Sequence, residues 1–257
     1  MTSEAPTFDD PATVAAEVAA LERPLLAAFD VDGVLAPIVA HAADAALLPG
    51  LLDALGALSA QTPVGIVSGR NVENLARFGF PDVLLVAGSH GAERRGRPLA
   101  PLSAAEVDRL ARLRVLADRA ARDAGPGAWV ESKPTAVVVH VREADERTAE
   151  QALGALAKAA KSVPGAQVKR GHRIVELTVR AASKAAAIAD MRGEVGAQAV
   201  SFVGDDITDE DAFATLETDD LGVKVGQGKS LAAYRLRGPD DVAQLLELLA
   251  DLRAAAR

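Results

Sequence analysis

Residues 26–35 read Leu-Ala-Ala-Phe-Asp-Val-Asp-Gly-Val-Leu, and this stretch indicates the fold more directly than any other. A short apolar run is typical of a strand buried on both faces, as in the parallel sheets of α/β proteins. The run ends in Asp30 and Asp32, with Gly33 directly after them. Alternate side chains of a strand point to the same face, so we expect this pair to converge on one point. Two carboxylates are costly beside an apolar core unless a cation or hydrogen-bond donors offset them, so we favour a site for Mg²⁺ and phosphate. An acidic turn in which Gly33 supplies a positive φ is the alternative.

The composition limits the classes of protein to consider. The chain has 257 residues, room for one large domain or for a core with a smaller second domain, and its 49% apolar content argues against disorder. The absence of cysteine excludes disulfides and thiolate chemistry. A net charge of −8 without a basic patch argues against a nucleic-acid partner. No apolar run is long enough to span a membrane and residues 1–10 lack signal-peptide features, so we predict a cytoplasmic protein without a membrane partner.

Short apolar runs alternate with helix-like segments in the first and last parts of the chain. This alternation is typical of βαβ units and predicts a Rossmann-like α/β core with a parallel sheet. The predicted strands cover residues 25–29, 64–67, 83–87, 199–203 and 223–225, and the predicted helices cover residues 51–60, 72–78, 183–192 and 240–252.

The middle of the chain has a different pattern. The predicted elements are helices at 104–124 and 144–160 and strands at 129–133, 135–142, 167–169 and 174–179. Alternating polar and apolar residues in the strands predict a small antiparallel sheet with helices on one face. We therefore expect a split core, residues 1–97 and 177–257, interrupted by an inserted α/β cap domain, residues 98–176.

Two further segments place polar groups where predicted strands end or helices begin. Ser68-Gly69-Arg70 follows the strand at 64–67, so a hydroxyl and free N–H groups could form a phosphate cradle, although a simple Ser or Asn cap of the next helix explains the same pattern. Lys184 opens a helix, where its charge opposes the helix dipole unless an anion lies nearby. A solvated surface lysine is the alternative.

A second acidic cluster follows the strand at 199–203. Five of the seven residues 205–211 are acidic. A helix capped by Thr208 or Asp209 explains the later ones. It does not explain Asp205 and Asp206 at the strand end, and for Asp205 we favour a metal-binding role. Because the carboxyl ends of parallel strands meet at one edge of a sheet, we expect these polar groups to lie there together.

The order Asp-x-Asp, Ser, Lys and Gly-Asp-Asp resembles the haloacid dehalogenase superfamily of phosphohydrolases. Within it, the chain looks like the trehalose-6-phosphate phosphatase family from about residue 25 to residue 249. The segments that carry the narrower likeness are residues 88–95, 131–133, 140–142, 171–177, 183–184 and 204–210.

Three positions depart from the pattern of that family. Val34 stands where many relatives have threonine, and Ala185 stands where the family usually has glycine. Residues 179–182 replace a more typical Lys-Pro-x-Gly approach to Lys184. The last two changes bear on the geometry of the loop before Lys184 and not on the chemistry of the lysine.

The resemblance implies roles for the acidic residues. Asp30 would be the nucleophile that forms an aspartyl-phosphate, and Asp32 would be the general acid and then the general base. Mg²⁺ would be held by the Asp30 carboxylate, the Asp32 backbone carbonyl and Asp205. Around these ligands, Asp206 and Asp209 would orient the metal site or the lysine.

The resemblance also implies the groups that bind the substrate, a small sugar phosphate. Ser68, the Gly69 N–H and Lys184 would bind the phosphoryl oxygens. The sugar would contact polar side chains of the cap and of the core motif, namely Arg70, Glu131, Lys133, Arg142 and Glu176. For Arg70, pairing with acidic groups of the site is an alternative.

The expected activity is hydrolysis of trehalose 6-phosphate to trehalose and phosphate, and we expect the protein to be a monomer. The alternative enzymes are related capped phosphatases acting on sucrose 6-phosphate or a glycosyl-phosphoglycerate, and a phosphosugar mutase using the same aspartyl-phosphate. A regulator that only binds sugar phosphates is a third class. Such a regulator has no need of a nucleophile at Asp30.

Overall fold

The structure of the protein is a computed structural model that describes residues 7–39, 41–98, 101–180 and 182–255. The chain divides into two compact units. The core unit runs up to Pro98 and resumes at Ala182, and the inserted unit is the segment Leu99–Ala181 between them. The α/β core with an inserted α/β domain that the sequence predicts is confirmed.

The secondary structure follows the predicted alternation closely. In chain order the elements are α1 (Pro11–Ala20), β1 (Leu25–Phe29), α2 (Leu51–Ser59), β2 (Val64–Val67), α3 (Val72–Ala76), β3 (Leu85–Gly88), β4 (Glu93–Arg94), α4 (Ala104–Ala124), β5 (Trp129–Ser132), β6 (Ala136–His140), α5 (Glu146–Ala160), β7 (Gln167–Gly171), β8 (Ile174–Thr178), α6 (Lys184–Val195), β9 (Ala199–Gly204), α7 (Ile207–Phe213), β10 (Leu221–Val225), β11 (Tyr234–Leu236) and α8 (Pro239–Ala255). Helix α1 and the strands β4 and β11 were not predicted from the sequence.

The core unit is built on a seven-stranded sheet of order β11-β10-β9-β1-β2-β3-β4. All neighbouring strands are parallel except β3 and β4, which are antiparallel. The central strand β1 pairs with β2 on one side and with β9 on the other, so that Ala27 lies opposite both Val64 and Ser201. The strand ends of β1, β2 and β9 therefore lie side by side at one edge of the sheet.

Helices cover both faces of this sheet. Leu25, Ala27 and Phe29 point into a cluster that includes residues of α1, α2 and α8. Leu26 and Ala28 point to the opposite face, into a cluster that includes residues of α6 and α7. Because both faces of β1 are buried, every residue of this strand is apolar, and the strand could be recognised from its sequence.

The inserted unit contains an antiparallel sheet of order β5-β6-β8-β7. One face of this sheet packs Val137, Val139, Val175 and Leu177 against residues of α4 and α5. The other face carries a set of polar side chains described below. The expected boundary at residue 176 falls inside β8, and the structure keeps the whole of β8 in the inserted unit because the strand pairs with both β6 and β7.

The described helices are all too short or too polar to cross a lipid bilayer.

Candidate active site

Asp30 follows the last residue of β1 and is 5% exposed. Its backbone N–H donates to the carbonyl of Val203, which extends the pairing with β9 by one residue. Its carboxylate accepts hydrogen bonds from the Val31 N–H at 2.7 Å and from the Lys184 ammonium group at 2.6 Å. The sheet thus holds this carboxylate in a fixed position at its edge.

Lys184 lies at the first position of α6 and is 2% exposed. Its Nζ is 2.6 Å from Oδ2 of Asp30 and 2.6 Å from Oδ1 of Asp209. Burial alone lowers the pKa of this lysine, but the two carboxylates outweigh burial and raise the pKa above its usual value. A solvated surface lysine is therefore wrong here, since two buried anions offset both its burial and its unfavourable place in the helix dipole.

The loop before Lys184 differs from the family pattern, but it still places the lysine between Asp30 and Asp209. Ser183 caps α6, and its hydroxyl accepts a hydrogen bond from the Ala186 N–H at 3.1 Å. Ala185 packs partly buried against the cluster on the α6 side of the sheet. Of the replaced approach segment, Ala181 lies outside the described residues.

The acidic segment after β9 forms the start of α7. Asp206 is the N-cap of that helix, so the expected capping by Thr208 or Asp209 is wrong, and capping does explain Asp206. Asp209 lies at the third helical position, and its Oδ2 accepts hydrogen bonds from the N–H groups of Asp205 and Asp206, each at 2.9 Å. Because this reciprocal capping uses only Oδ2 of Asp209, Oδ1 can accept a hydrogen bond from Lys184.

Carboxylate oxygens of Asp30, Asp205 and Asp209 lie within 4.8 Å of one another. Burial, together with neighbouring carboxylates, raises the pKa of Asp30 above its usual value and that of Asp205 to about 7. Such a group of hard oxygen ligands fits a divalent cation, whose charge would offset the repulsion between them. The described residues can therefore hold a divalent metal at this edge of the sheet.

Gly33 has a positive φ and also permits two acidic loops to lie close together. Its φ is +79°, in the left-handed region that favours glycine. A Cβ atom at this position would also overlap the carboxylate of Asp205. The acidic loop after β1 and the acidic loop after β9 can approach each other only because no side chain stands between them.

Asp32 does not converge on the same point as Asp30. Its side chain is 40% exposed and makes a two-pronged ion pair with Arg70, at 2.7 Å from Nε and 2.6 Å from Nη2. The Arg70 guanidinium lies 5.3 Å from the centre of the Phe78 ring. The alternation that would bring both aspartates together applies only within a strand, and the chain leaves the strand at Asp30.

Ser68 follows β2 and is buried, and its hydroxyl accepts a hydrogen bond from the Arg70 N–H at 3.2 Å. Asn71, rather than Ser68, caps α3. The α-carbon of Gly69 lies so close to the His90 imidazole that a Cβ would come within 2.9 Å of the ring. The site therefore keeps the serine hydroxyl and the backbone of Gly69 beside the Asp30 strand, while the helix cap is provided elsewhere.

Lys224 is a buried charged residue that the sequence analysis missed. It lies on β10 and donates a hydrogen bond from its ammonium group to the backbone carbonyl of Asp205. The signal that could have found it is a lysine within Leu221–Val225, a segment that is otherwise apolar apart from a glycine.

One face of the sheet in the inserted unit, which we call the polar face, carries Trp129, Glu131, Lys133, His140 and Glu176. Three of these, Glu131, Lys133 and Glu176, are among the four substrate residues predicted in this unit. Lys133 Nζ is 3.0 Å from Oε1 of Glu176, and Oε2 of Glu131 is 2.9 Å from Nε2 of His140. The bond from His140 lowers the pKa of Glu131. The indole of Trp129 stacks on the His140 imidazole at 4.0 Å between ring centres. Arg142, the fourth predicted substrate residue, lies in the exposed turn beyond the end of β6.

A parallel sheet with aspartates at its strand ends, interrupted by an α/β cap, is the architecture of the haloacid dehalogenase type of phosphohydrolases, and this chain has it. Residues 28–240 match the family model described as trehalose-phosphatase. The chain belongs to the trehalose-phosphatase family.

Two relatives match most of this chain and differ in name and in length. The trehalose-6-phosphate phosphatase of Escherichia coli (strain K12) is 32% identical over 238 residues, which cover 86% of this chain and 85% of that protein. An uncharacterized glycosyl hydrolase of Mycobacterium tuberculosis (strain ATCC 25618 / H37Rv) is 34% identical over 251 residues, but the chain spans only 18% of its length.

Solved structures share the fold. A trehalose-6-phosphate phosphatase related protein superposes with a TM-score of 0.72 at 25% identity, covering 90% of this chain and 100% of that one. The C-terminal domain of the Candida albicans trehalose-6-phosphate phosphatase superposes with a TM-score of 0.81 at 23% identity, covering 97% of this chain and 99% of that one.

Proposed function

We propose that this chain is a Mg²⁺-dependent phosphatase that hydrolyses trehalose 6-phosphate to trehalose and phosphate. The observation that carries the proposal is the buried ammonium of Lys184 between Asp30 and Asp209, next to a third carboxylate at the same sheet edge. The names of the Escherichia coli and other trehalose-phosphatase relatives support the choice of substrate. A cytoplasmic location and a monomeric state stay predictions.

The proposed reaction has two steps. In the first, an Asp30 carboxylate oxygen bonds to phosphorus, the bond from phosphorus to the sugar oxygen breaks, and Asp32 gives its proton to that oxygen. In the second, water attacks the aspartyl-phosphate, Asp32 takes the proton of the water, and the Asp30 carboxylate is restored. Lys184, Ser68 and the Gly69 N–H donate to the phosphoryl oxygens, on which negative charge accumulates.

Asp30, Asp205 and the Asp32 carbonyl are the proposed Mg²⁺ ligands. A bound Mg²⁺ lowers the repulsion between the Asp30 carboxylate and the phosphate dianion. Asp209 orients Lys184 with one oxygen and the N–H groups of Asp205 and Asp206 with the other. In this proposal Arg70 holds the Asp32 carboxylate through two hydrogen bonds while the substrate is absent, and it contacts the substrate when bound.

The polar face of the inserted unit is the proposed contact for the sugar. A disaccharide presents many hydroxyl groups, and a face whose polar groups all pair with the right sugar discriminates strongly against a sugar that leaves some of them unpaired. Glu131, Lys133 and Glu176 supply both acceptors and donors on one face, and the sequence-based choice of Arg142 adds a further donor.

The test of substrate and metal is phosphate release from trehalose 6-phosphate, sucrose 6-phosphate and glucose 6-phosphate, each with Mg²⁺ and with EDTA. We expect trehalose 6-phosphate to be hydrolysed fastest, and EDTA to lower its rate about 100-fold or more, because a metal at a phosphoryl group supplies several kcal/mol. Re-addition of Mg²⁺ is the control for chelation. Equal rates for the two disaccharide phosphates would rule out the proposed selectivity, and full activity in EDTA would rule out the metal.

Sugar binding to the polar face can be followed without catalysis. Trp129 is the only tryptophan of the chain, is 55% exposed, and stacks on the imidazole that Glu131 holds. Trehalose should therefore change the intrinsic fluorescence of the wild-type protein. Glu131→Gln should weaken this binding about 10-fold, because a lost charged hydrogen bond costs 1–3 kcal/mol. Glu150→Gln, at an exposed position of α5, is the matched control. If Glu131→Gln gave the same titration curve as wild type, the assignment of Glu131 would be wrong.

A further inference from the structure

Lys224 is a buried charged group of the core unit to which the proposed reaction gives no task. It is 4% exposed, and its ammonium group donates to the carbonyl of Asp205. A buried ammonium is expensive unless its surroundings offset the charge. A leucine or methionine would fill the same strand position without that cost, so the lysine calls for an explanation in terms of what it contacts.

The strand geometry brings this side chain to the metal-binding edge. Val223 and Val225 point into the cluster on the α1 side of the sheet, so Lys224 points to the opposite face. In the pairing of β10 with β9, Lys224 lies opposite Gly204, the residue directly before Asp205. The lysine therefore stands beside the point where the chain leaves β9 and turns into the acidic loop.

Three contacts fix Asp205 from three directions. Its N–H donates to Oδ2 of Asp209 at 2.9 Å, and its carbonyl accepts from Lys224. Its carboxylate packs against Gly33, where a Cβ would overlap it. Of these contacts, only the one from Lys224 also brings a positive charge to the cluster of carboxylates.

We propose that Lys224 is a positioning residue of the divalent-cation site. Its ammonium group fixes the Asp205 peptide unit, and its charge lies close enough to act on the Asp205 carboxylate. The carboxylates are thereby held close together before the cation binds, so that binding does not require them to be brought together. This inference rests on the metal requirement of the proposed function and adds a residue to it.

The proposal predicts a loss of metal affinity in the absence of substrate. Lys224→Met keeps the apolar stem and removes the ammonium group, and we expect it to weaken Mn²⁺ binding 10- to 100-fold, the usual effect of removing a group that supports a metal ligand. Binding is measured by electron paramagnetic resonance of free Mn²⁺, with Mg²⁺ as the competitor. Lys229→Met, an exposed lysine in the loop after β10, is the matched control and should bind Mn²⁺ like wild type.

Catalysis gives a second readout that a merely structural lysine would not move. With Lys224→Met, the Mg²⁺ concentration for half-maximal phosphate release should rise about as much as the Mn²⁺ dissociation constant, while the rate at saturating Mg²⁺ should largely recover. Lys224→Gln, which keeps one hydrogen-bond donor but not the charge, serves if the methionine variant does not fold, and its Mn²⁺ affinity should fall at least about 5-fold.

The outcomes separate the inference from the proposed function. If the wild-type protein binds Mn²⁺ and a folded Lys224 variant binds it within about 2-fold of wild type, the role of Lys224 is overturned while the metal-dependent phosphatase stands. If the wild-type protein binds neither Mn²⁺ nor Mg²⁺, the metal requirement itself fails, and the positioning role fails with it.

Discussion

Asp30→Asn is expected to reduce phosphate release from trehalose 6-phosphate by about 10³-fold or more, since an amide cannot form the aspartyl-phosphate. The substitution keeps the volume of the side chain. Its amide oxygen can still accept from Lys184, which retains Asp209 as a charged partner, so the fold should survive. Initial rates at saturating Mg²⁺, with circular dichroism to verify folding, provide the measurement.

The control for Asp30→Asn is Asp53→Asn, which makes the same chemical change at an exposed position of α2. It should leave the rate of phosphate release unchanged. A second readout is covalent transfer of phosphate from the substrate to the protein: wild-type protein quenched during turnover should carry an acyl-phosphate that hydroxylamine cleaves, and Asp30→Asn should carry none. Activity of Asp30→Asn well above a trace would remove Asp30 from its role as nucleophile.

Lys184→Met is expected to abolish activity and also to lower the free energy of unfolding by about 3–5 kcal/mol. The ion pairs of Lys184 involve side chains that are almost completely buried, with Asp30 at 7% and Asp209 at 0% side-chain exposure. Removing the ammonium leaves two uncompensated carboxylates inside the core, which is far more costly than losing a surface ion pair. Urea unfolding in EDTA measures the difference from wild type.

The pH dependence of that difference has a definite sign. Burial already raises the pKa of Asp30 above its value in the unfolded chain. A carboxyl group with a raised pKa favours the folded state below its unfolded pKa, and this contribution is lost as the pH rises through the folded pKa. Removing Lys184 raises the pKa of Asp30 further, so the destabilisation should be smaller at pH 5 than at pH 8.

The control for Lys184→Met is Lys161→Met at the exposed C-terminal cap of α5, which should change the unfolding free energy by less than about 0.5 kcal/mol. A loss below about 1 kcal/mol for Lys184→Met would mean that the two carboxylates find other partners. The arrangement of Lys184 between Asp30 and Asp209 would then not support a site built around a buried charge.

The strands of the core could be predicted because their physical cause is local. A strand buried on both faces favours an apolar run, and β1, β2 and β9 are apolar apart from Gly65, Ser201 and Gly204, with polar residues directly after each strand. The candidate phosphate and metal residues could be placed at a common sheet edge for the same reason. The short strands β4 and β11 escaped prediction because a segment of two or three residues carries no clear periodicity.

Contacts between distant segments could not be predicted from the local pattern. The burial of Lys184 depends on Asp30, which lies 154 residues earlier, and on Asp209, which lies 25 residues later. Lys224 binds a backbone carbonyl, a partner that every residue offers and that leaves no mark in the sequence. The choice of Asp206 over Thr208 as the cap of α7 depends on the hydrogen bonds of the Asp209 carboxylate.

The interruption of the core sheet has a consequence for protein synthesis. The central strand β1 is translated early, but its neighbour β9 and the lysine that neutralises Asp30 follow only after the whole inserted unit. The pairings of the inserted sheet, by contrast, all join residues between 129 and 178. On the ribosome, the inserted unit can therefore fold before the part of the core unit that follows it has been synthesised. Asp30 stays without its lysine until that part emerges.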